Sequence, residues 1–149
     1  MLTLPTIDNV AYLIDNHVDK LKEDTMLVVR SAAARRVETP NAVMTTYASP
    51  SQGGTAAALW RVEMAPGALG PLHVMDGEQI WTVLDGAVAV TVDDERIDAG
   101  VGDTVVLDGG RTRRIAADPE RGLTAIVTGR GGDVAGGPGR EPTVPPWIA

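Results

Sequence analysis

The sequence has no cysteine, which excludes disulfides, a thiol nucleophile and any thiolate metal site. It has no excess of positive charge either. Thirteen Lys and Arg stand against 20 Asp and Glu, for a net charge of −7, which argues against nucleic acid or an anionic membrane surface as partner. Long apolar runs are missing: the longest, such as Ala56 to Trp60, reach about five residues, far short of the roughly 20 that cross a bilayer. The segment Met1 to Asp8 shows neither a basic n-region nor an apolar h-region, so no secretion signal is expected and a cytoplasmic protein is the simplest expectation. Also absent are a phosphate-binding glycine loop, a G-x-G-x-x-G after a strand, an H-E-x-x-H and any internal repeat. What remains is a chain of 149 residues, 44% apolar, enough for one domain with one core.

Apolar residues at Ile7, Val10, Ala11, Ile14, Val18 and Leu21 fall at helical spacing and predict an N-terminal helix within residues 1–25. Such a stripe would pack on the main domain or on a partner subunit. His17, on that helix, reads as a solvated surface residue. From residue 26 to 130 the pattern changes to short β-type segments. Strands are expected over Met26–Arg30, Ala42–Ala48, Ala56–Met64, Gln79–Leu84, Ala87–Val92, Arg96–Asp98, Thr104–Leu107, Arg113–Ala116 and Leu123–Thr128. Turn signals separate them, among them Ala65-Pro66-Gly67, Asp85-Gly86, Asp93-Asp94 and Asp108-Gly109-Gly110. Many short strands with no helix between them indicate an all-β, antiparallel sandwich or barrel. Residues 131–149 are rich in Gly and Pro and predict an irregular tail, whose last apolar residues, Trp147 and Ile148, can dock back on the barrel.

Strand parity places candidate site residues together. His73 and Met75 are two apart and share a face, as do Gln79, Trp81 and Val83 on the next strand. Trp60, Val62 and Met64 alternate in the same way. If these faces look inward, they line a mostly apolar pocket with a few polar groups, the usual build of a small-molecule site.

The run Gly67 to Gly86, with His73, Glu78-Gln79 and an I-x-x-V-L-x-G strand, resembles the first motif of the cupin family, G-x5-H-x-H-x3-(E or Q)-x6-G. The run Gly102 to Arg113 resembles the second, G-x5-P-x-G-x2-H-x3-N, with Asp108 at the proline, Arg113 at the histidine and Ala117 at the asparagine. The resemblance implies an antiparallel double-stranded β-helix, the cupin or jelly-roll barrel, carrying the N-terminal α-helix, and a dimer. It also implies that the metal positions of the family fall on His73, Met75, Gln79 and Arg113. Only His73 and Gln79 keep donors suited to first-row divalent ions; Met75 is a soft thioether better matched to copper(I). Arg113 cannot ligate. A dication about 5 Å from that guanidinium, at an effective dielectric near 20, would be repelled by roughly 6 to 7 kcal/mol.

The expectation is therefore a small-molecule-binding cupin without a metal cofactor, acting as a binder or as a lyase or isomerase on an anionic or planar organic ligand. His73 would serve as acid or base, Gln79 would assist it, and Trp60, Met75, Trp81 and Arg113 would bind the ligand. Each residue has a plainer reading. His73 and Gln79 can be hydrogen-bonded interior residues, Met75 a filler of irregular space, the tryptophans core, and Arg113 a rim residue. If Arg113 enters the barrel instead, its charge needs a counter-ion such as Glu78, Asp76 or a bound anion. Two other classes stay open. One is a metal-dependent dioxygenase or lyase holding a divalent transition metal or copper through His73, Met75 and Gln79. The other is a non-catalytic dimeric assembly or regulatory protein.

Overall fold

Alternation of buried and exposed side chains along most strands sets the architecture, since successive residues of a strand face opposite sides. The computed structural model describes residues 27–149, and the helix expected at 7–21 lies outside them. The chain runs β1 (Arg35–Glu38), β2 (Val43–Ala48), β3 (Ala57–Met64), β4 (His73–Met75), β5 (Gln79–Val92), β6 (Glu95–Gly100), β7 (Thr104–Leu107), β8 (Thr112–Ala117), β9 (Leu123–Arg130), β10 (Ala135–Gly137) and β11 (Arg140–Thr143). The pairing is antiparallel throughout, in the order β1-β2-β3-β9-β5-β8-β4-β10-β11, with β6 and β7 both added to β5. The sheet curls into a jelly-roll barrel around a core that includes Val62, Val83, Val88, Val90, Ile115 and Val127.

Strand β5 joins the two halves of the barrel. Its first part pairs with β7 and β9, and its second part with β6 and β8. Gln79, Trp81 and Val83 face inward in the first part; Val88 and Val90 do so in the second. The inward phase thus shifts from odd to even residues at Leu84–Gly86, where the register against β9 slips. Asp85-Gly86, expected as a turn between two strands, is instead a β-bulge inside one strand. A bulge inserts a residue and reverses which side chains face the core, and glycine supplies the left-handed backbone it needs. Gly86 has φ +70°, and a Cβ there would lie 1.9 Å from the Gly122 carbonyl oxygen.

Two further expectations are corrected. Leu27–Arg30 forms no strand; it leads into a 3₁₀ turn at Ser31–Ala33, and the first strand is β1. The Arg35-Arg36-Val37-Glu38 segment carries too little apolar alternation to be read from sequence. The expected irregular tail contains β10 and β11. Ala135 and Gly136 pair with Met75 and Val74, adding the tail to the barrel edge through backbone hydrogen bonds that composition does not reveal. The docking of the last residues is seen directly: Ile148 is buried, and Thr46 Oγ1 donates to the Trp147 carbonyl at 2.8 Å. The Ala149 carbonyl accepts from Ser49 Oγ at 2.7 Å and Arg35 Nη2 at 3.3 Å.

Candidate functional site

The inward faces of β2, β3, β4 and the first part of β5 enclose a cavity of ≈ 440 Å³. Trp60, Val62 and Met64 form one side, His73 and Met75 another, and Gln79 and Trp81 a third. Met44 on β2 and Ile115 on β8 extend the apolar lining. The tail closes the rest, through Arg140, Glu141 and Thr143 of β11 and through Pro145, Pro146 and Trp147. Parity on the strands accounts for the grouping of His73, Met75, Gln79, Trp81 and Trp60. Sequence reasoning did not find Met44, Arg140, Glu141 or Trp147 as lining residues. Met44 alternates correctly on its strand, whereas the tail residues carry no local signal of where they go.

His73 is fixed by a hydrogen bond between its Nδ1 and the Pro71 carbonyl oxygen, at 3.0 Å. A carbonyl only accepts, so Nδ1 carries the proton and Nε2 of the neutral ring is left as the base. Burial pulls the His73 pKa below its ordinary value, and the positive charges of Arg113 and Arg140 add to that; the bond to Pro71 opposes it. The ring is therefore neutral at pH 7.

Stability should record this as a pH dependence. The folded-state pKa lies below that of the unfolded chain, so the unfolded chain binds more protons as pH falls. His73 should have no effect above about pH 7 and should destabilise progressively as pH drops below about 6.5, the ordinary histidine value. Denaturant unfolding between pH 5 and 8 checks this: the wild type should lose stability over that window, and His73→Gln should lose less.

Gln79 is buried, and its Oε1 accepts the Trp81 Nε1–H at 3.2 Å. That bond sets the amide orientation and leaves the NH2 group as the donor available to a ligand. Met75 is buried and presents a thioether to the same space.

Arg113 departs from expectation. It stands opposite His73 in the β4–β8 pairing and is only 1% exposed, yet it is not among the residues lining the cavity. Its Nη2 donates to the Asp108 carbonyl at 2.9 Å, toward the Asp108–Gly110 turn, and Nη1 is buried without a partner. Neither Glu78 nor Asp76 pairs with it, so the expected counter-ion is not supplied by those side chains. Burial lowers its pKa, and Asp108 partly offsets this.

These residues do not fit a divalent metal. Of the four matched positions, one is a cation, one a thioether, and Gln79 already spends its oxygen on Trp81. Among the described residues no group of three or more His, Asp or Glu stands close enough to hold an ion.

The comparisons with known proteins agree with this architecture. Residues 60–129 match the "Cupin domain" family. The barrel has the cupin fold. Among solved structures, the polyketide cyclase RemF from Streptomyces resistomycificus aligns with a TM-score of 0.60 and 18% identity, over 71% of this chain and 80% of that one. KdgF from Halomonas sp. aligns at 0.58 and 19%, over 71% and 94%. A Streptomyces nucleoside dehydratase aligns at 0.58 and 15%, over 71% and 82%. The comparison with curated proteins gives no match. At these identities the likeness is one of fold, and the site has to be read from its own residues.

Proposed function

We propose that this cupin binds a small planar organic molecule in the barrel cavity, without a metal, and that His73 exchanges a proton with it. The observation that carries the reading is the composition of the cavity. A space of ≈ 440 Å³ walled by Trp60, Trp81, Met44 and Met75 includes the neutral His73 imidazole and the Gln79 amide among its few polar groups. Apolar walls with a few fixed polar groups bury a ligand body and orient one functional group. The aromatic and thioether surfaces suit a flat, polarisable ring.

His73 has the attributes of a proton acceptor. Its Nδ1–H is held by Pro71, its neutral form is favoured by burial, and Nε2 is then the basic atom. Proton transfer by a positioned side chain contributes about 10²- to 10⁴-fold to a rate. The Gln79 NH2 group would donate to oxygen that gains negative charge as the proton leaves. A lyase, a dehydration or an isomerisation next to a carbonyl needs no more than these parts. Neighbours on the same fold described as a polyketide cyclase and a nucleoside dehydratase make small-molecule chemistry of that kind a natural use for the barrel.

Tryptophan fluorescence tests the reading, because Trp60, Trp81 and Trp147 all line the cavity. Planar aromatic compounds should quench it saturably in the wild type, and Met75→Trp, which fills the cavity, should abolish the effect. Quenching that survives the filled cavity would place the ligand elsewhere. Stoichiometric, tightly held transition metal in the purified protein would replace this reading by a metal-dependent one.

A further inference from the structure

Strand β11 is an edge: it pairs only with β10, and its four residues are exposed. Three of them, Arg140, Glu141 and Thr143, nonetheless border the cavity. The ladder explains how. Gly137 is the cross-strand partner of Arg140, and a Cβ on Gly137 would lie 2.8 Å from the Leu72 carbonyl oxygen and 3.3 Å from the His73 Cα. Only a residue without a side chain lets β10 settle that closely on the backbone at His73. The hairpin therefore delivers the Arg140 position beside His73. The proximity is felt electrically, since Arg140 is one of the two cations that depress the imidazole. The other, Arg113, is turned into the wall. Among the described residues no carboxylate forms an ion pair with Arg140, Glu141 included.

We propose that Arg140, carried on the β10–β11 hairpin and seated by Gly137, is the anion-recognising residue of the cavity, so that the preferred ligand is a planar organic acid whose carboxylate or phenolate lies at the tail side of the cavity near His73. This rests on the reading of the cavity as a small-molecule site and adds to it the charge of the ligand. A guanidinium at the edge of an apolar cavity forms charge-assisted hydrogen bonds with an oxyanion in a partly desolvated setting. After burial and Arg113, the same cation helps hold the neighbouring imidazole in its neutral, proton-accepting form. A ligand with a cationic group would meet Arg140 with no matching anion in the lining other than Glu141.

The probes are 2-naphthoate and its neutral isostere 2-naphthamide, titrated against tryptophan fluorescence of the full chain. Wild type should bind the acid about 10- to 100-fold more tightly than the amide, the range of one charge-assisted contact. Arg140→Gln should remove that preference, weakening the acid far more than the amide, with an unchanged thermal midpoint, as befits an exposed edge strand. Arg140→Lys should retain part of the preference. Gly137→Val should also lose it, with Arg140 intact, because the hairpin can no longer sit on His73. If Arg140→Gln keeps the preference for the acid, the assignment is overturned while the cavity reading stands. If neither probe quenches the wild type, the cavity reading falls and takes this inference with it.

Discussion

Arg113→Met is expected to make the protein more stable, by about 1–3 kcal/mol. A guanidinium 1% exposed, with one carbonyl acceptor and an unpartnered Nη1, carries an uncompensated desolvation cost. Methionine has similar length and fills irregular apolar space without a charge. The loss on the other side is one hydrogen bond to the Asp108 carbonyl, worth about 1 kcal/mol. Urea unfolding should show a higher midpoint with an unchanged slope. The same substitution removes one of the two cations beside His73, so the His73 pKa should rise toward its ordinary value, though not reach it while burial and Arg140 remain. The sequence has two histidines, so imidazole proton resonances followed against pH are simple to assign. A destabilised variant would show that the charge meets a favourable partner in the folded state.

The largest loss is expected at Gly86. Gly86→Ala should destabilise the barrel by about 3–5 kcal/mol, combining a non-glycine residue at φ +70° with a Cβ placed on the Gly122 carbonyl. Gly122 cannot retreat easily, since its own α-carbon is packed on the Met64 carbonyl, 2.5 Å from where a Cβ would stand. Gly102→Ala is the control: its φ is +86° but nothing lies within 4 Å, so only the backbone conformation is penalised, at about 1–2 kcal/mol. Similar losses at both positions would mean that the contact with Gly122 relaxes freely and that the bulge is not a fixed point of the fold.

How far the sequence was legible follows from where each signal is stored. The alternating strands β3, β7 and β9 are written locally, one residue in and one out, and so is the cavity face of His73, Met75, Gln79 and Trp81. The Asp85-Gly86 pair was misread because a turn and a bulge use the same residue chemistry. What separates them is whether Gly122 lies against the glycine, a contact between residues far apart in sequence. The β10–β11 hairpin was invisible for a related reason. Ala-Gly-Gly and Arg-Glu-Pro-Thr have no strand pattern, and they pair only because β4 offers an open edge. Arg113 shows the limit of motif register: the backbone position does lie beside His73, in the β4–β8 pairing, but the side chain bonds the Asp108 carbonyl and does not line the cavity. Arg140, which does border it, had no motif at all.

The bonds from Thr46 to Trp147 and from Ser49 to Ala149 join residues 101 and 100 positions apart. Closing loops of that length carries a larger entropic cost than closing the hairpins of the barrel and is intrinsically slow. The barrel's own long pairing, β3 with β9, joins residues 59 to 73 positions apart, from Met64–Leu123 to Ala57–Arg130, whereas the tail side of the cavity waits for residues 140–149 to return to β2 over a still longer loop. Refolding watched by backbone signals and by recovery of ligand quenching should therefore separate in time, with binding competence lagging. In kinetic terms the pocket should be the last thing this chain acquires.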